Sequence, residues 1–329
     1  MSTTPASHPF DTLTPDVILA AVEQQGWQTS GHFLALNSYE NRVYQIGIED
    51  SAPIIAKFYR PARWTDAQIR EEHAFTAELL DQDLPVVPPL QHPDGESLFY
   101  HADFRFSLFP RRGGHAPPLD NDNCLESMGR WLARLHNVGA LRPFSARPSI
   151  TIESFGHQSV AFLSEHFVPK DLLPAWQSLC RDLLTMVEER FAGGRNARML
   201  RCHGDCHPGN ILWRDDAPHF IDLDDARMAP AMQDLWMLLS GEREQQQRQL
   251  GAILDGYNEF RDFDLAELRL IEPLRTLRML QFSAWIGQRW DDPAFPRAFP
   301  WFNSPRYWGE FILDLRVQMS ALQEPALIY

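Results

Sequence analysis

Near the start of the chain, apolar residues recur with helical period. In Leu13-Thr14-Pro15-Asp16-Val17-Ile18-Leu19-Ala20-Ala21-Val22 a threonine stands at the N-cap and a proline at the first helical position, which predicts a short helix over residues 13–27 ending near Gly26. From Leu34 to Tyr59 the pattern turns to strands, in two runs. Residues 41–46 alternate, residues 53–59 are β-branched and apolar around Lys57, and Glu49-Asp50-Ser51 is the turn between them. A helix is expected over residues 65–80, capped by Thr65, with Ile69, Phe75 and Leu79 turned inward. Further strands read at Val86-Val87 and Leu98-Phe99-Tyr100, around the turn Pro93-Asp94-Gly95, and at residues 104–109, which alternate and close at Pro110.

Arg111-Arg112-Gly113-Gly114 breaks this pattern, and from Leu125 onward the periodicity is mainly helical. Strand-rich first and helix-rich after predicts an α+β chain of two lobes, residues 1–110 and 111–329. A length of 329 residues accommodates both, and 44% hydrophobic with 22% charged residues is globular rather than disordered.

The formal net charge of −14 argues against polynucleotide partners, since no long Lys/Arg run offsets the acidic field. It leaves ATP open, because a metal ion and a few local cations can neutralise the phosphates. No apolar run is long enough to span a bilayer, and the first residues lack the basic and apolar regions of a signal peptide. A cytoplasmic, monomeric protein without membrane partners is the expectation. Four cysteines are too few for a disulfide scaffold in a chain of this length.

Residues 202–213 read Cys202-His203-Gly204-Asp205-Cys206-His207-Pro208-Gly209-Asn210-Ile211-Leu212-Trp213, and residues 220–225 read Phe220-Ile221-Asp222-Leu223-Asp224-Asp225. An aspartate five residues before an asparagine is the spacing of a kinase catalytic loop. There the carboxylate takes the acceptor hydroxyl's proton and the amide oxygen serves a magnesium ion. A second aspartate after an apolar stretch suits the metal that bridges the ATP phosphates. Asp205 is therefore the candidate catalytic base, with Asn210 and Asp222 the candidate metal ligands and Asp224 and Asp225 rivals for the metal. Strands at 211–213 and 219–221 would pair across a turn at Asp215-Asp216 and set Asp222 beside Asn210. His203 is expected to brace the loop backbone. Cys202, His203, Cys206 and His207 also resemble one zinc knuckle, but no second ligand set accompanies them.

Lys57, after Ile54-Ile55-Ala56, matches the strand lysine that reaches the α/β-phosphates and pairs with a helix glutamate. Glu72 is the expected partner, in line with Phe75 and Leu79, and Glu71 the alternative. A Gly-x-Gly-x-x-Gly loop is absent. Residues 36–44 occupy its place, and Ser38 offers a hydroxyl and a backbone N–H to ATP. Residues 106–109 would form the hinge whose backbone reads adenine, with Phe106 and Leu108 as contacts.

These residues resemble the aminoglycoside/choline phosphotransferase branch of the protein-kinase-like superfamily. His-Gly-Asp-x-x-x-x-Asn replaces His-Arg-Asp, the glycine triad is missing, and Asp-Leu-Asp replaces Asp-Phe-Gly. Within that branch, residues 37–45, Lys57-Phe58-Tyr59-Arg60-Pro61, residues 233–239 and Asp292-Pro293-Ala294-Phe295-Pro296 are similar to the bacterial stress response kinases, nearly end to end. The resemblance implies a protein-kinase-like fold with a small β-rich N-lobe and a larger helical C-lobe. It implies ATP as co-substrate with Mg2+, and a Ser/Thr protein kinase acting in envelope and oxidative stress survival with links to the Cpx response. By residue it implies Asp205 as proton acceptor, Asn210 and Asp222 for magnesium in preference to Asp224, Ser38 for ATP, and Asp234 as support for the catalytic loop. It also places His207 where animal-type protein kinases carry a lysine.

Small-molecule kinases acting on amino alcohols or aminoglycosides share this catalytic loop, so only the whole-chain resemblance favours protein acceptors. A nucleotide-binding pseudokinase would be expected to have lost Lys57, Asp205 or Asp222, and all three are present. The aromatics crowded over residues 285–308 read as core first, and as a substrate groove second.

Overall fold

In the computed structural model, which describes residues 8–193 and 197–329, helix α1 (Pro15–Glu23) begins where Thr14 accepts the Val17 N–H. It packs on a five-stranded antiparallel sheet through Ile18, Ala21 and Val22. The strands are β1 (Thr29–Ala35), β2 (Arg42–Ile48) and β3 (Ile54–Phe58), followed after helix α2 (Asp66–Asp81) by β4 (Phe99–His101) and β5 (Phe104–Pro110). Their order across the sheet is β1-β2-β3-β5-β4. The first strand is not among the two runs expected. It lies at the sheet edge with almost every residue exposed, so no apolar alternation marks it. Val86 joins no strand of this sheet. It bridges to Phe220, because apolar β-branched character marks an extended, buried segment without naming its partner.

Thr65 and Gln68 form a reciprocal capping box at the start of α2. Ile69, Glu72, Phe75 and Leu79 are buried along this helix. Phe75 and Leu79 belong to the core of the helical region, so α2 ties the sheet to that region.

The remainder is mainly helical. Helices α3 (Asp122–Gly139), α4 (Gln158–His166) and α5 (Leu173–Gly193) precede short strands β6 (Leu200–Cys202), β7 (Ile211–Arg214), β8 (Ala217–Phe220) and β9 (Arg227–Ala229). Then come α6 (Met232–Leu235), α7 (Arg243–Asn258), α8 (Ile271–Gly287), α9 (Ala294–Ala298) and α10 (Pro305–Gln323). β7 and β8 form the expected hairpin, with Ile211 opposite Phe220, and Asp215 and Asp216 take positive φ at its turn. Most of the C-terminal aromatics are core: Phe295, Phe302 and Trp308 are buried in a run of mutually packed rings. Trp285 and Phe299 instead line a cleft between the two regions. No helix among the described residues is long and apolar enough to cross a membrane.

Candidate active site

The cleft has a volume of about 870 Å³, and every polar group singled out around residues 205–222 faces it. Asp205, Asn210 and Asp222 all line it, with Ser38, Lys57 and Glu72 on the sheet side.

The loop 203–210 is braced from below. Buried Asp234, in α6, accepts the backbone N–H of His203 at 2.8 Å and of Gly204 at 2.9 Å. Its Oδ2 also accepts from Nε2 of buried His136, at 3.1 Å. Burial works to raise the Asp234 carboxyl, but the His136 hydrogen bond and the loop N–H groups pull it below its ordinary value. Gln233 donates to the Gly204 carbonyl at 2.9 Å, and His203 Nε2 donates to the Ile221 carbonyl at 2.9 Å. Gly204 has φ +84°, and a Cβ there would overlap the Asp225 carbonyl oxygen, so glycine is required on both counts. Cys202 and His136 lie close to Asp234, but each polar atom of this trio already has a protein partner. The knuckle-like Cys202 and Cys206 are simply buried thiols.

Asn210 donates its Nδ2 to the Asp205 carbonyl at 3.0 Å, and its Oδ1 has no donor among the described residues. The Ile221 N–H donates to the Asn210 carbonyl at 3.0 Å, so the hairpin holds Asp222 beside Asn210. Asp222 takes the left-handed conformation, φ +58°, and its side chain is 50% exposed towards the cleft. This pair, one free amide oxygen and one accessible carboxylate, fits a hard divalent cation. Asp224 is neither solvated nor free. It is buried and bound by Asn41 at 3.1 Å, Lys57 at 3.4 Å and Arg63. Burial opposes its ionisation, yet Lys57 and Arg63 bring it down to about 2. Arg63 and Arg227 hold Asp225 in the same way, at 2.8 and 3.1 Å.

Lys57 departs from expectation. Its Nζ lies 2.7 Å from Asp222 and 3.4 Å from Asp224, and makes no ion pair with Glu72. Burial alone would depress the Lys57 ammonium, but the two aspartates outweigh it and hold the group above its ordinary value. Glu72 does face inward, and burial pushes its carboxyl up to about 7 against the pull of Lys57 and Arg147; Thr76 and His73 lie at 3.4 and 3.6 Å from it. Glu71, the alternative, caps a distant loop by accepting the N–H groups of Ala146 and Arg147.

The hinge contacts need correction. Phe106 and Leu108 are buried in the sheet core, with Phe106 stacked on Phe58, and the Leu108 carbonyl already accepts the Leu90 N–H at 2.7 Å. β5 stays paired with β3 through Pro110, so the side chains reaching the cleft are Phe109, Pro110 and Arg112. Alternation along a strand sends residues 106 and 108 inward together, away from the cleft. Ser38 lies on the cleft and donates to the Asn41 carbonyl at 3.2 Å.

Two cleft residues, Arg278 and Glu40, and the buried Arg147 behind the 224–226 segment escaped the sequence reading. Arg278, on α8, places Nη2 2.7 Å from Asp205 Oδ1. Arg147 donates to the carbonyls of Ala226 and Asp224 and pins that segment. Glu40 ties the β1–β2 loop to the C-terminal part of the chain through Arg289, at 2.6 Å, and Trp285. Burial raises the Asp205 carboxyl against the pull of Arg278. His207 approaches Asp205 Oδ2 at 3.7 Å, and burial lowers its imidazole.

Residues 32–271 match the phosphotransferase enzyme family. The chain is 43% identical over 319 residues to stress response kinase A of Salmonella choleraesuis (strain SC-B67), a match covering 97% of this chain and 96% of that one. It matches the serine/threonine protein kinase RdoA of Salmonella typhimurium to the same extent, 43% over 97% and 96%. Among solved structures, a microcompartment-associated aminopropanol kinase superposes with a TM-score of 0.70 at 19% identity, over 93% of this chain and 98% of that one. The amicoumacin kinase hAmiN, solved with AMP-PNP, Ca2+ and Ami, gives 0.67 at 16% identity, over 92% of each chain. At these identities the two structures speak for the fold.

Proposed function

Because the chain belongs to the phosphotransferase enzyme family, in the branch of the stress response kinases, we propose that it is a Ser/Thr protein kinase. It moves the γ-phosphoryl group of ATP to protein hydroxyls in a stress response. The observation that carries this reading is the end-to-end identity with relatives named stress response kinase A and serine/threonine protein kinase RdoA.

In this reading the adenine enters the apolar part of the cleft, between Val43 and Ile55 on the sheet and Leu212 and Ile221 on the hairpin. Backbone groups beyond Pro110 meet its edge, and Ser38 and the loop N–H groups face the phosphates. Asn210 Oδ1 and the Asp222 carboxylate hold Mg2+, which supplies positive charge to the phosphate oxygens. Lys57 leaves Asp222 for the phosphates when nucleotide arrives, and Glu72 then gives it a carboxylate to lean on.

Asp205 orients the acceptor hydroxyl. The acceptor oxygen bonds to the γ-phosphorus, the bridging P–O bond to ADP breaks, and the hydroxyl proton passes to Asp205 and on to solvent. Most of the catalysis is positioning and charge stabilisation. Four buried cysteines, each a free thiol, support work in a reducing cytoplasm.

The second reading is the same transfer to a small hydroxyl compound. The rings of Phe282, Trp285 and Phe299 at the acceptor end of the cleft favour it. The test is transfer from γ-labelled Mg-ATP to a generic protein and, in parallel, to a panel of amino alcohols and aminoglycosides. Label on protein, absent with Asp205→Asn, supports the first reading. Label confined to a small molecule replaces it with the second.

A further inference from the structure

The carboxylate of Asp205 has little to hold it. It sits on a loop, no group among the described residues donates it a well-formed hydrogen bond, and His207 Nε2 stands at 3.7 Å from Oδ2, beyond hydrogen-bonding range. The one close cation is Arg278, with Nη2 at 2.7 Å from Oδ1.

Of the other cleft arginines, Arg112 makes no ion pair among the described residues, and Arg63, Arg227 and Arg289 serve structural carboxylates. Arg63 binds Asp224 and Asp225, and Arg289 binds Glu40. Among the described residues Asp205 is the only ion-pair partner of Arg278, whose side chain is 31% exposed and lines the cleft. The helix that carries it is anchored at its other end: Trp285, seven residues on, donates to Glu40 of the β1–β2 loop. α8 therefore reaches the candidate base with one turn and the opposite loop with another, across a rigid element.

We propose that Arg278 is a positioning residue: by gripping Oδ1 it turns Oδ2 of Asp205 towards the acceptor oxygen. The contact acts as an ion pair that sets where Oδ1 sits, and that leaves Oδ2 as the oxygen free to face the acceptor. The inference rests on the reading of Asp205 as base.

Its test uses Mg-ATP hydrolysis, in which water is the acceptor and no physiological substrate need be known. Arg278→Ala lowers kcat about 10²-fold, the scale of a reacting group displaced by an ångström, while KM for ATP stays within about twofold. Guanidinium chloride at low millimolar concentration restores part of the lost rate. Arg278→Lys, which keeps the charge and guards against a variant that fails to fold, restores part of it as well. An unchanged kcat in Arg278→Ala, a rise in KM with kcat unchanged, or failure of both rescues overturns the proposal. Asp205→Asn run beside it separates the premises. If Asp205→Asn hydrolyses ATP as well as the parent, the base reading itself fails. If it is inactive while Arg278→Ala is unimpaired, only the role of Arg278 is lost.

Discussion

The 203–210 loop and the β1–β2 loop face each other across the cleft and are held by different means. The first rests on groups from its own region: Asp234 and Gln233 bond its backbone N–H and C=O groups, and His136 in turn bonds Asp234. The second rests on ion pairs with a remote segment. Arg42 and Arg60 meet Asp292 at 3.1 and 2.6 Å, 250 and 232 residues away, and Glu40 meets Arg60 and Arg289. The backbone that carries the candidate base is thus braced from within its own region, whereas the loop that would cover the phosphates is tied in addition to the C-terminal segment. In the proposed function, the braced loop is the one that carries the proton acceptor, and the loop tied across the cleft is the one that nucleotide must pass.

The sharpest way to break this comparison is at Asp234. Asp234→Ala leaves two buried N–H groups and His136 without their acceptor, at a cost of about 3–5 kcal/mol, and urea unfolding monitors the loss. A variant as stable as the parent would show that the bracing is dispensable. Next comes Asp292→Ala, which strands two arginines and costs about 3 kcal/mol. Its signature is a weaker Mg-ATP affinity by calorimetry, with the 203–210 loop unperturbed in amide exchange. Equal loss of protection in both loops would erase the distinction between them.

Glu72 lies between the two regions and offers a pH test. Its carboxyl is held up to about 7 by burial, against about 4.5 in the unfolded chain. Below pH 4.5 it is protonated in both states and costs nothing. Between about pH 4.5 and 7 the unfolded chain has released the proton while the folded one keeps it, so stability falls across that window and the loss is complete above it. Glu72→Gln should therefore gain up to about 3 kcal/mol at pH 8 in nucleotide-free protein, with little gain at pH 4. An equal gain at both values would remove the titration as its cause. The smallest effect is at Thr65→Ala, which opens the capping box of α2 and costs about 1 kcal/mol without altering either loop.

Legibility in the sequence follows distance along the chain. Asp205, Asn210 and Asp222 lie within one short stretch, and the hairpin that unites them is signalled by its own turn. The caps at Thr14 and Thr65 are similarly local. Helical spacing turns Glu72 inward as observed, but the partner of Lys57 depends on how closely α2 and the 222–225 segment approach β3, and spacing carries no such distance. Arg278 lies 73 residues past Asp205 on a helix whose polar positions read as ordinary surface. At the hinge the strand is recognisable and its exit is not, since alternation gives facing but not the point where pairing stops. The edge strand β1, exposed on both faces, has no pattern to read.

The central claim is that Asp205 serves transfer and not nucleotide binding. The most direct measurement compares Mg-ATP affinity with the rate of γ-phosphoryl transfer in the parent and in Asp205→Asn. The predicted result is unchanged affinity with transfer lowered by about 10²–10⁴-fold, the range for losing a positioned base. Transfer at the parental rate, or affinity and transfer falling together, would contradict it.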